Sequence, residues 1–189
     1  MNTSKGNHGL AVLAVDLQPV FLDTVAGGEA LAHRCGFVLE VAALMGIPAF
    51  FTEQYPEKLG ETDDAVLRAA GPGTKVFRKT AFSAFGAEGL AEALDGSGVK
   101  HLLVMGLETP ICVYQTLLEA GARDFSCTVL SDCVGARRPE DAKVCLDFLR
   151  GASDCHILPS ETVFYSLLRD AKDPLFRGFT KLVKRYSQG

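Results

Sequence analysis

VKHLLVMGLETPICVYQTLLEAG, at residues 99–121, is the stretch that decides the fold of this chain. Residues 99–107 form a short apolar run, which is typical of a strand buried on both faces of a sheet. Residues 110–121 have the apolar spacing of a helix and end at a glycine, which often terminates helices. A buried strand that leads directly into a helix is the building unit of parallel α/β proteins.

The same alternation of strand-like and helix-like segments runs through the rest of the chain. Apolar runs predict strands at residues 10–16, 47–53, 74–79, 99–107, 125–132 and 155–158. Helical patterns predict helices at residues 29–45, 86–94, 110–121 and 138–151, followed by two terminal helices within 160–170 and 174–186. We therefore predict an α/β fold, a three-layer α/β/α sandwich with a mostly parallel, six-stranded, Rossmann-like sheet in the order 3-2-1-4-5-6. The chain of 189 residues is expected to form a single domain over residues 1–189.

The composition is that of an ordinary globular protein, with 48% hydrophobic and 22% charged residues. The longest apolar runs are far shorter than the roughly 20 residues that a membrane-spanning helix needs. The polar N-terminal stretch, residues 1–9, lacks the apolar core of a signal peptide. A net charge of −4 gives no basic footprint for nucleic acid. We expect a cytoplasmic protein that binds neither membranes nor nucleic acids.

The six cysteines and four histidines show no metal-binding spacing. No CxxC pair occurs, and in a reducing compartment most of the thiols are expected to be buried as small apolar side chains. The histidines are scattered along the chain, at His8, His33, His101 and His156. The chain lacks a GxxxxGK[ST] phosphate loop, and no GxGxxG motif follows the first strand. We therefore expect no metal, nucleotide or other cofactor.

Three side chains of potential chemical use stand at the ends of predicted strands. Asp16 ends the first strand, Lys79 ends the third, and Cys112 comes just after the fourth. The carboxyl ends of parallel strands meet at one edge of the sheet, so the three residues are expected to converge. A helix start lowers the pKa of a cysteine, a nearby lysine stabilises its thiolate, and a carboxylate can accept its proton. Taken singly, each residue has a structural alternative, as a core thiol, a capping carboxylate or an exposed lysine.

Several motifs resemble those of the isochorismatase-like cysteine hydrolases. They are DLQPVF (16–21), FRKTAFSAF (77–85) and GLETPICV (106–113), in the family's order along the chain. The segment TEQYPEKLG (52–60) and the tail at 160–184 are most similar to the isochorismatase-domain-containing proteins of unassigned substrate. The resemblance covers nearly the whole chain.

This resemblance implies a catalytic triad of Asp16, Lys79 and Cys112. It also implies a cis peptide between Leu107 and Glu108, and an oxyanion hole made by the backbone N–H groups of Glu108 and Cys112. The family reaction is attack of the thiolate on an amide or carbamoyl carbon, loss of ammonia or an amine, and hydrolysis of the thioester. Members of the family commonly assemble as dimers or larger rings, so a homodimer or larger homo-oligomer is expected.

Two departures from the family narrow the expected activity. Nicotinamidases hold a metal with an Asp-x-His motif and a further histidine, whereas this chain has Glu53 and Tyr55 where metal ligands would stand. A metal-dependent nicotinamidase is therefore disfavoured. Isochorismatase proper cleaves a vinyl ether without a nucleophilic cysteine, so the presence of Cys112 argues against that reaction.

Several further residues could line a pocket, with simple packing as the alternative in each case. They are Gln18, Phe21, Gln54, Tyr55 and Phe82. The long stretch 53–73 is predicted to be a lid, and Cys133, the strongest rival thiol, is expected to be structural. We predict a metal-free cysteine hydrolase acting on a small amide or carbamoyl compound. The alternatives are a catalytically silent binding or interaction protein with the same fold and, with the least support, a ribonuclease.

Overall fold

The fold is built on one parallel sheet. A computed structural model describes residues 9–151 and 154–187, and within this part of the chain six strands form the sheet. The strands are β1 (Leu10–Val15), β2 (Ala49–Gln54), β3 (Lys75–Lys79), β4 (His101–Gly106), β5 (Ser126–Val134) and β6 (Cys155–Leu158). Their order is β3-β2-β1-β4-β5-β6, and every neighbouring pair is parallel. The predicted strand order is confirmed.

Helices connect the strands and cover both faces of the sheet. They are α1 (Pro19–Leu22), α2 (Gly28–Met45), α3 (Pro56–Leu59), α4 (Asp64–Ala70), α5 (Leu90–Gly96), α6 (Tyr114–Ala122), α7 (Pro139–Leu149), α8 (Ser160–Leu168) and α9 (Phe176–Tyr186). One apolar core lies between the sheet and α2, α8 and α9, and the other lies between the sheet and α5, α6 and α7. This arrangement is the predicted three-layer α/β/α sandwich.

The central strand β1 aligns the edge of the sheet at which the candidate residues stand. Its side chains alternate between the two cores, with Val12 in one and Leu13 in the other, which explains its uninterrupted apolar sequence. Val15, the last residue of β1, lies beside Thr52 of β2 and Gly106 of β4. The chain therefore leaves three adjacent strands at nearly the same level.

Gly106 allows the chain to leave β4 close to β1. Its φ of 121° belongs to a region that side chains rarely adopt, and a Cβ at this position would overlap the Val15 carbonyl oxygen. The next residue, Leu107, donates its N–H to that same oxygen at 2.9 Å. A glycine is required here because the backbone leaves β4 in direct contact with β1.

Two local predictions need correction. The helix predicted at 86–94 begins at Leu90, because Gly89 has a left-handed φ of 80°, and a short 3₁₀ turn (Ala84–Gly86) precedes it. The strand predicted at 125–132 continues to Val134, so Cys133 lies inside β5 and is fully buried. The stretch 53–73, predicted to be a lid, is partly helical and holds the end of β2 and the helices α3 and α4.

Within residues 9–151 and 154–187, no helix is both long enough and apolar enough to cross a bilayer.

Candidate active site

Asp16 and Lys79 form an ion pair at the carboxyl edge of the sheet. The Lys79 Nζ lies 2.6 Å from Asp16 Oδ2, and both side chains have no solvent exposure. Lys79 Nζ also donates to the backbone oxygens of Ala81 at 3.3 Å and Phe82 at 3.2 Å. The lysine is therefore held in one position by several acceptors, as a buried ammonium group must be.

The Asp16 carboxylate is fixed by its backbone and by Thr52. Asp16 has a left-handed φ of 52°, a conformation that aspartate tolerates better than most residues. Its N–H donates to the Thr52 carbonyl at 3.1 Å, and the Thr52 hydroxyl donates to Asp16 Oδ1 at 2.8 Å. Burial raises the pKa of the Asp16 carboxyl above its ordinary range, against the opposing effects of the Lys79 charge and of hydrogen bonds from Lys79, Thr52 and Cys112.

Gln54 connects the ion pair to the cysteine. Its Oε1 accepts a hydrogen bond from Lys79 Nζ at 2.6 Å and lies 4.0 Å from Cys112 Sγ. Its Nε2 donates to the Thr80 carbonyl at 2.7 Å, which fixes the orientation of the amide. The register of the sheet explains this position, because Gln54 of β2 lies directly beside Lys79 of β3.

Cys112 stands on a wide helical turn between β4 and α6. Residues Thr109–Val113 form a π-helical turn, in which the Val113 N–H donates to the Glu108 carbonyl at 3.2 Å, and α6 then begins at Tyr114. The Cys112 carbonyl accepts the Thr116 hydroxyl at 2.6 Å, and that hydroxyl oxygen accepts the Ala84 N–H at 2.8 Å. The turn is thus tied both to α6 and to the segment that follows Lys79.

The protonation of Cys112 differs from the expectation drawn from sequence. Burial of the thiol raises its pKa to about 12, the Asp16 carboxylate adds to this effect, and the Lys79 ammonium opposes it. A helix start and a nearby lysine predict a lowered pKa, and that prediction is wrong for the resting site. The thiol carries its proton at neutral pH, beside a carboxylate positioned to accept it.

A cavity of about 400 Å³ opens above this group. Its wall includes Cys112, Gln54, Phe21, Tyr55 and Phe82, and it is completed by Val20, Thr24, Leu59, Leu107, Glu108, Ile111 and Arg137. Four of the five residues predicted as pocket residues are therefore on its wall. Tyr55 and Phe82 are substantially exposed, with 43% and 60% of their surface accessible, so they stand at its mouth.

Gln18, the fifth predicted pocket residue, has a different place. It is fully buried, and its side chain accepts the Gln54 N–H at 2.7 Å and donates to the carbonyls of Gln54 at 3.1 Å and Gly60 at 2.5 Å. Gln18 therefore joins the end of β2 to the segment after α3. Together with the bond from Asp63 N–H to the Leu17 carbonyl at 2.9 Å, it anchors the stretch predicted to be a lid.

The connection after β4 bears the backbone feature that the resemblance implies. The peptide between Leu107 and Glu108 is cis. The Glu108 side chain lies in the cavity wall, where its Oε1 is 2.6 Å from Nε of Arg137. Arg137 was missed by sequence reasoning, although it follows the carboxyl end of β5 and thus belongs to the same edge of the sheet.

The residues that replace the metal ligands of nicotinamidases have other roles here. The Glu53 carboxylate accepts the Thr62 N–H at 2.8 Å and the Thr62 hydroxyl at 2.9 Å, so it is used within the fold. In the described part of the chain, no group of three or more histidine, cysteine and acidic side chains lies close enough to hold a metal ion. His8 lies outside the described residues.

Comparisons with known proteins agree with this architecture. A family model of the isochorismatase domain matches residues 10–156. Isochorismatase domain-containing protein 2A of Mus musculus is 34% identical over 170 residues, which cover 89% of this chain and 80% of the mouse protein.

Solved structures with the same fold match this chain over nearly its whole length. The structure of MAR1 ribonuclease from Caenorhabditis elegans has a TM-score of 0.87 and 25% identity, over 94% of this chain and 91% of that chain. The YcaC gene product from Escherichia coli, an octameric hydrolase of unknown specificity, has a TM-score of 0.82 and 20% identity, over 100% and 98% of the two chains. Since the matched domain runs from β1 into β6 and contains Asp16, Lys79 and Cys112, the chain belongs to the isochorismatase family.

Proposed function

We propose that this protein is a cysteine hydrolase that cleaves the C–N bond of a small amide or carbamoyl compound through a thioester. Cys112 is the nucleophile, Asp16 is the general base and acid, and Lys79 holds the Asp16 carboxylate in place by charge and hydrogen bonding. Membership of the isochorismatase family supports a hydrolase-type fold. The finer assignment rests on the chemistry of the site.

One observation carries the proposal. The Cys112 thiol lines a cavity of about 400 Å³ and lies beside a fully buried carboxylate–ammonium pair. A buried ion pair is often no more stabilising than well-packed apolar side chains of the same volume. Stability alone therefore does not explain why the Asp16–Lys79 pair is present. A base beside a thiol and beneath a cavity is the arrangement that nucleophilic catalysis needs.

The reaction proceeds in two halves. In the first, Asp16 accepts the thiol proton while Cys112 Sγ bonds to the carbonyl carbon, and the oxyanion is stabilised by the N–H groups of Glu108 and Cys112. The C–N bond then breaks as Asp16 returns the proton to the leaving nitrogen. In the second half, Asp16 takes a proton from water, the resulting hydroxide attacks the thioester, and the C–S bond breaks. Asp16 returns its proton to the leaving sulfur, which restores the thiol and the carboxylate, and Lys79 remains charged throughout.

The test is a screen of primary amides and carbamoyl compounds for release of ammonia. The wild-type protein is compared with Cys112→Ala and with Cys145→Ala, which removes a partly exposed thiol on α7. The proposal predicts release that is abolished by Cys112→Ala and kept by Cys145→Ala. Release that is equal in all three proteins would contradict it.

A catalytically silent binding protein is the second candidate, and one observation favours it. A thiol with a pKa of about 12 is a poor nucleophile until its proton is removed. If Asp16 does not perform this step, the cavity binds its ligand without cleaving it. Saturable binding of an amide without release of ammonia would identify this case.

Ribonuclease activity is the weakest candidate. A structural neighbour from Caenorhabditis elegans is named a ribonuclease, at 25% identity. The present chain has a net charge of −4, whereas RNA-binding surfaces are basic. The absence of RNA cleavage and of salt-dependent RNA binding would dispose of this candidate.

We also propose that the chain forms a homo-oligomer. An apolar surface, here called the α6/α7 face, consists of Tyr114, Leu118, Val144 and Phe148. Val144 and Phe148 are 69% and 65% exposed, and the Phe148 ring centroid lies 6.1 Å from that of Tyr114. Contiguous apolar surface of this kind is typical of contacts between subunits, and a second copy of the chain is the proposed occupant.

A further inference from the structure

We propose that the ion pair between Glu108 and Arg137 makes the cavity selective for uncharged amides that carry an apolar, aromatic-sized substituent. This inference rests on the proposed function, because it names the class of substrate that Cys112 attacks. It concerns two side chains that take no part in bond cleavage. Their effect is on which molecules reach the thiol.

The wall of the cavity is mainly apolar. Aromatic side chains of Phe21, Tyr55 and Phe82 stand on it, together with the aliphatic side chains of Leu107 and Ile111. Surfaces of this composition bind apolar groups, and flat rings are favoured by contact with aromatic side chains. The substituent of the substrate amide is therefore expected to be apolar.

The charges on the wall neutralise each other. Among the described residues that line the cavity, the charged ones are Glu108 and Arg137, and their Oε1 and Nε atoms are 2.6 Å apart. The Glu108 side chain is only 9% exposed, whereas that of Arg137 is 58% exposed. The carboxylate is thus enclosed by the protein, and the guanidinium closes it off from the solvent side.

The charges beneath the wall are balanced as well. Asp16 and Lys79 lie below Cys112 as a second ion pair, without exposure of either side chain. In both pairs, each charged side chain already has a partner of opposite charge. An anionic substrate would have to share Arg137 with the enclosed Glu108 carboxylate, and a cationic substrate would have to compete with Arg137 for Glu108. Both arrangements place like charges next to each other at the cavity wall, which is unfavourable.

The experiment compares three aromatic probes that are nearly equal in shape and differ in charge. Benzamide is neutral, benzoate is an anion, and benzamidine is a cation. Their dissociation constants are measured by calorimetric titration of the full chain carrying Cys112→Ala, so that no probe is consumed. We expect benzamide to bind at least about tenfold more tightly than either charged probe, a difference of about 1.4 kcal/mol.

Two substitutions test whether the ion pair is the cause. Glu108→Gln frees Arg137, so the preference for benzamide over benzoate should fall about tenfold, while benzamidine remains weak. Arg137→Gln leaves the Glu108 carboxylate unpaired, so the preference over benzamidine should fall instead. Lys143→Gln and Asp147→Asn break an exposed ion pair of 3.0 Å on α7 and should change neither ratio.

Each outcome decides the matter. Equal affinity of the three probes, no binding of benzamide, or ratios unchanged by Glu108→Gln and Arg137→Gln would overturn the inference. The ranking in the parent protein is informative even if one variant does not fold. Tight, charge-selective binding of benzamide without turnover of any amide by the wild type would overturn the proposed function and leave this inference intact. Amide turnover with no charge selectivity would do the reverse.

Discussion

The Lys79 ammonium donates a 2.6 Å hydrogen bond to Asp16 Oδ2 in a place where neither side chain is exposed to solvent. Two ions removed from water lose a large hydration energy, which their mutual attraction repays only in a favourable geometry. Here the Thr52 hydroxyl donates a further hydrogen bond to the Asp16 carboxylate, and Gln54 Oε1 accepts one from the Lys79 ammonium. The arrangement holds a carboxylate of raised pKa beside the Cys112 thiol.

The substitution Asp16→Asn should separate thiol reactivity from turnover. The Asp16 charge raises the pKa of Cys112, while Lys79 lowers it. Removing the carboxylate should therefore increase the thiolate fraction and speed alkylation by iodoacetamide at neutral pH. Amide turnover should fall by a factor of about 10²–10⁴, because no group remains to carry the proton to the leaving nitrogen. Slower alkylation in Asp16→Asn, followed by peptide mass spectrometry, would contradict this view of the site.

The substitution Lys79→Met should destabilise the protein and slow alkylation of Cys112. It leaves the Asp16 carboxylate buried without its counter-ion, and loss of one partner of a buried pair costs about 3–5 kcal/mol. Urea unfolding monitored by circular dichroism measures this loss. Lys143→Met on α7 removes an exposed partner of Asp147 and should cost no more than about 1 kcal/mol. Equal effects of the two substitutions would refute the assignment of a buried pair.

The pH dependence of turnover should report the environment of Asp16. The carboxylate form is needed to accept the thiol proton, so kcat/KM should fall as the pH drops through the pKa of Asp16. Burial raises that pKa, and the acid limb should therefore lie above the value of about 3.9 that is usual for aspartate. Thr52→Val removes a hydrogen bond that lowers this pKa, so it should move the limb to still higher pH. A limb at or below pH ~4, or one that Thr52→Val moves downward, would be inconsistent with Asp16 as the base.

The substitution Phe148→Glu should weaken assembly. It places a charge on the α6/α7 face, where 65% of the phenylalanine surface is exposed in the single chain. Light scattering coupled to size exclusion should show an oligomer for the wild type and a smaller species for Phe148→Glu. Leu167→Glu, at a 39% exposed position on α8, should leave the wild-type mass unchanged. A monomeric wild type would remove the basis for this proposal.

The strand order and the layers could be predicted from sequence because a strand with helices on both faces has an uninterrupted run of apolar residues. Residues 10–15 and 101–106 are apolar at every position that faces either core, and glycines or polar residues mark their ends. The helix start near Leu90 was less predictable, since it depends on the left-handed conformation of Gly89 and not on the apolar pattern.

The convergence of the three candidate residues was predictable from sequence, whereas the electrostatics of the site was not. Strand ends placed Asp16, Lys79 and Cys112 at one edge of the sheet, and the structure brings them together there. The raised pKa of Cys112 follows from burial, which depends on the whole fold and leaves no mark on the local sequence. The same is true of Gln18, which serves as a buried link, and of Arg137, whose importance comes from contact with a residue on a different loop.

The most direct test of the central claim is to look for a covalent acyl group on Cys112 during turnover. The wild-type protein is mixed with the amide that releases ammonia fastest, quenched in acid within one turnover, and examined by intact and peptide mass spectrometry. The proposed mechanism predicts an adduct with the mass of the acyl group on the peptide containing Cys112, and neither adduct nor ammonia from Cys112→Ala. Ammonia release that persists in Cys112→Ala, or an adduct on another residue, would contradict a thioester mechanism at this site.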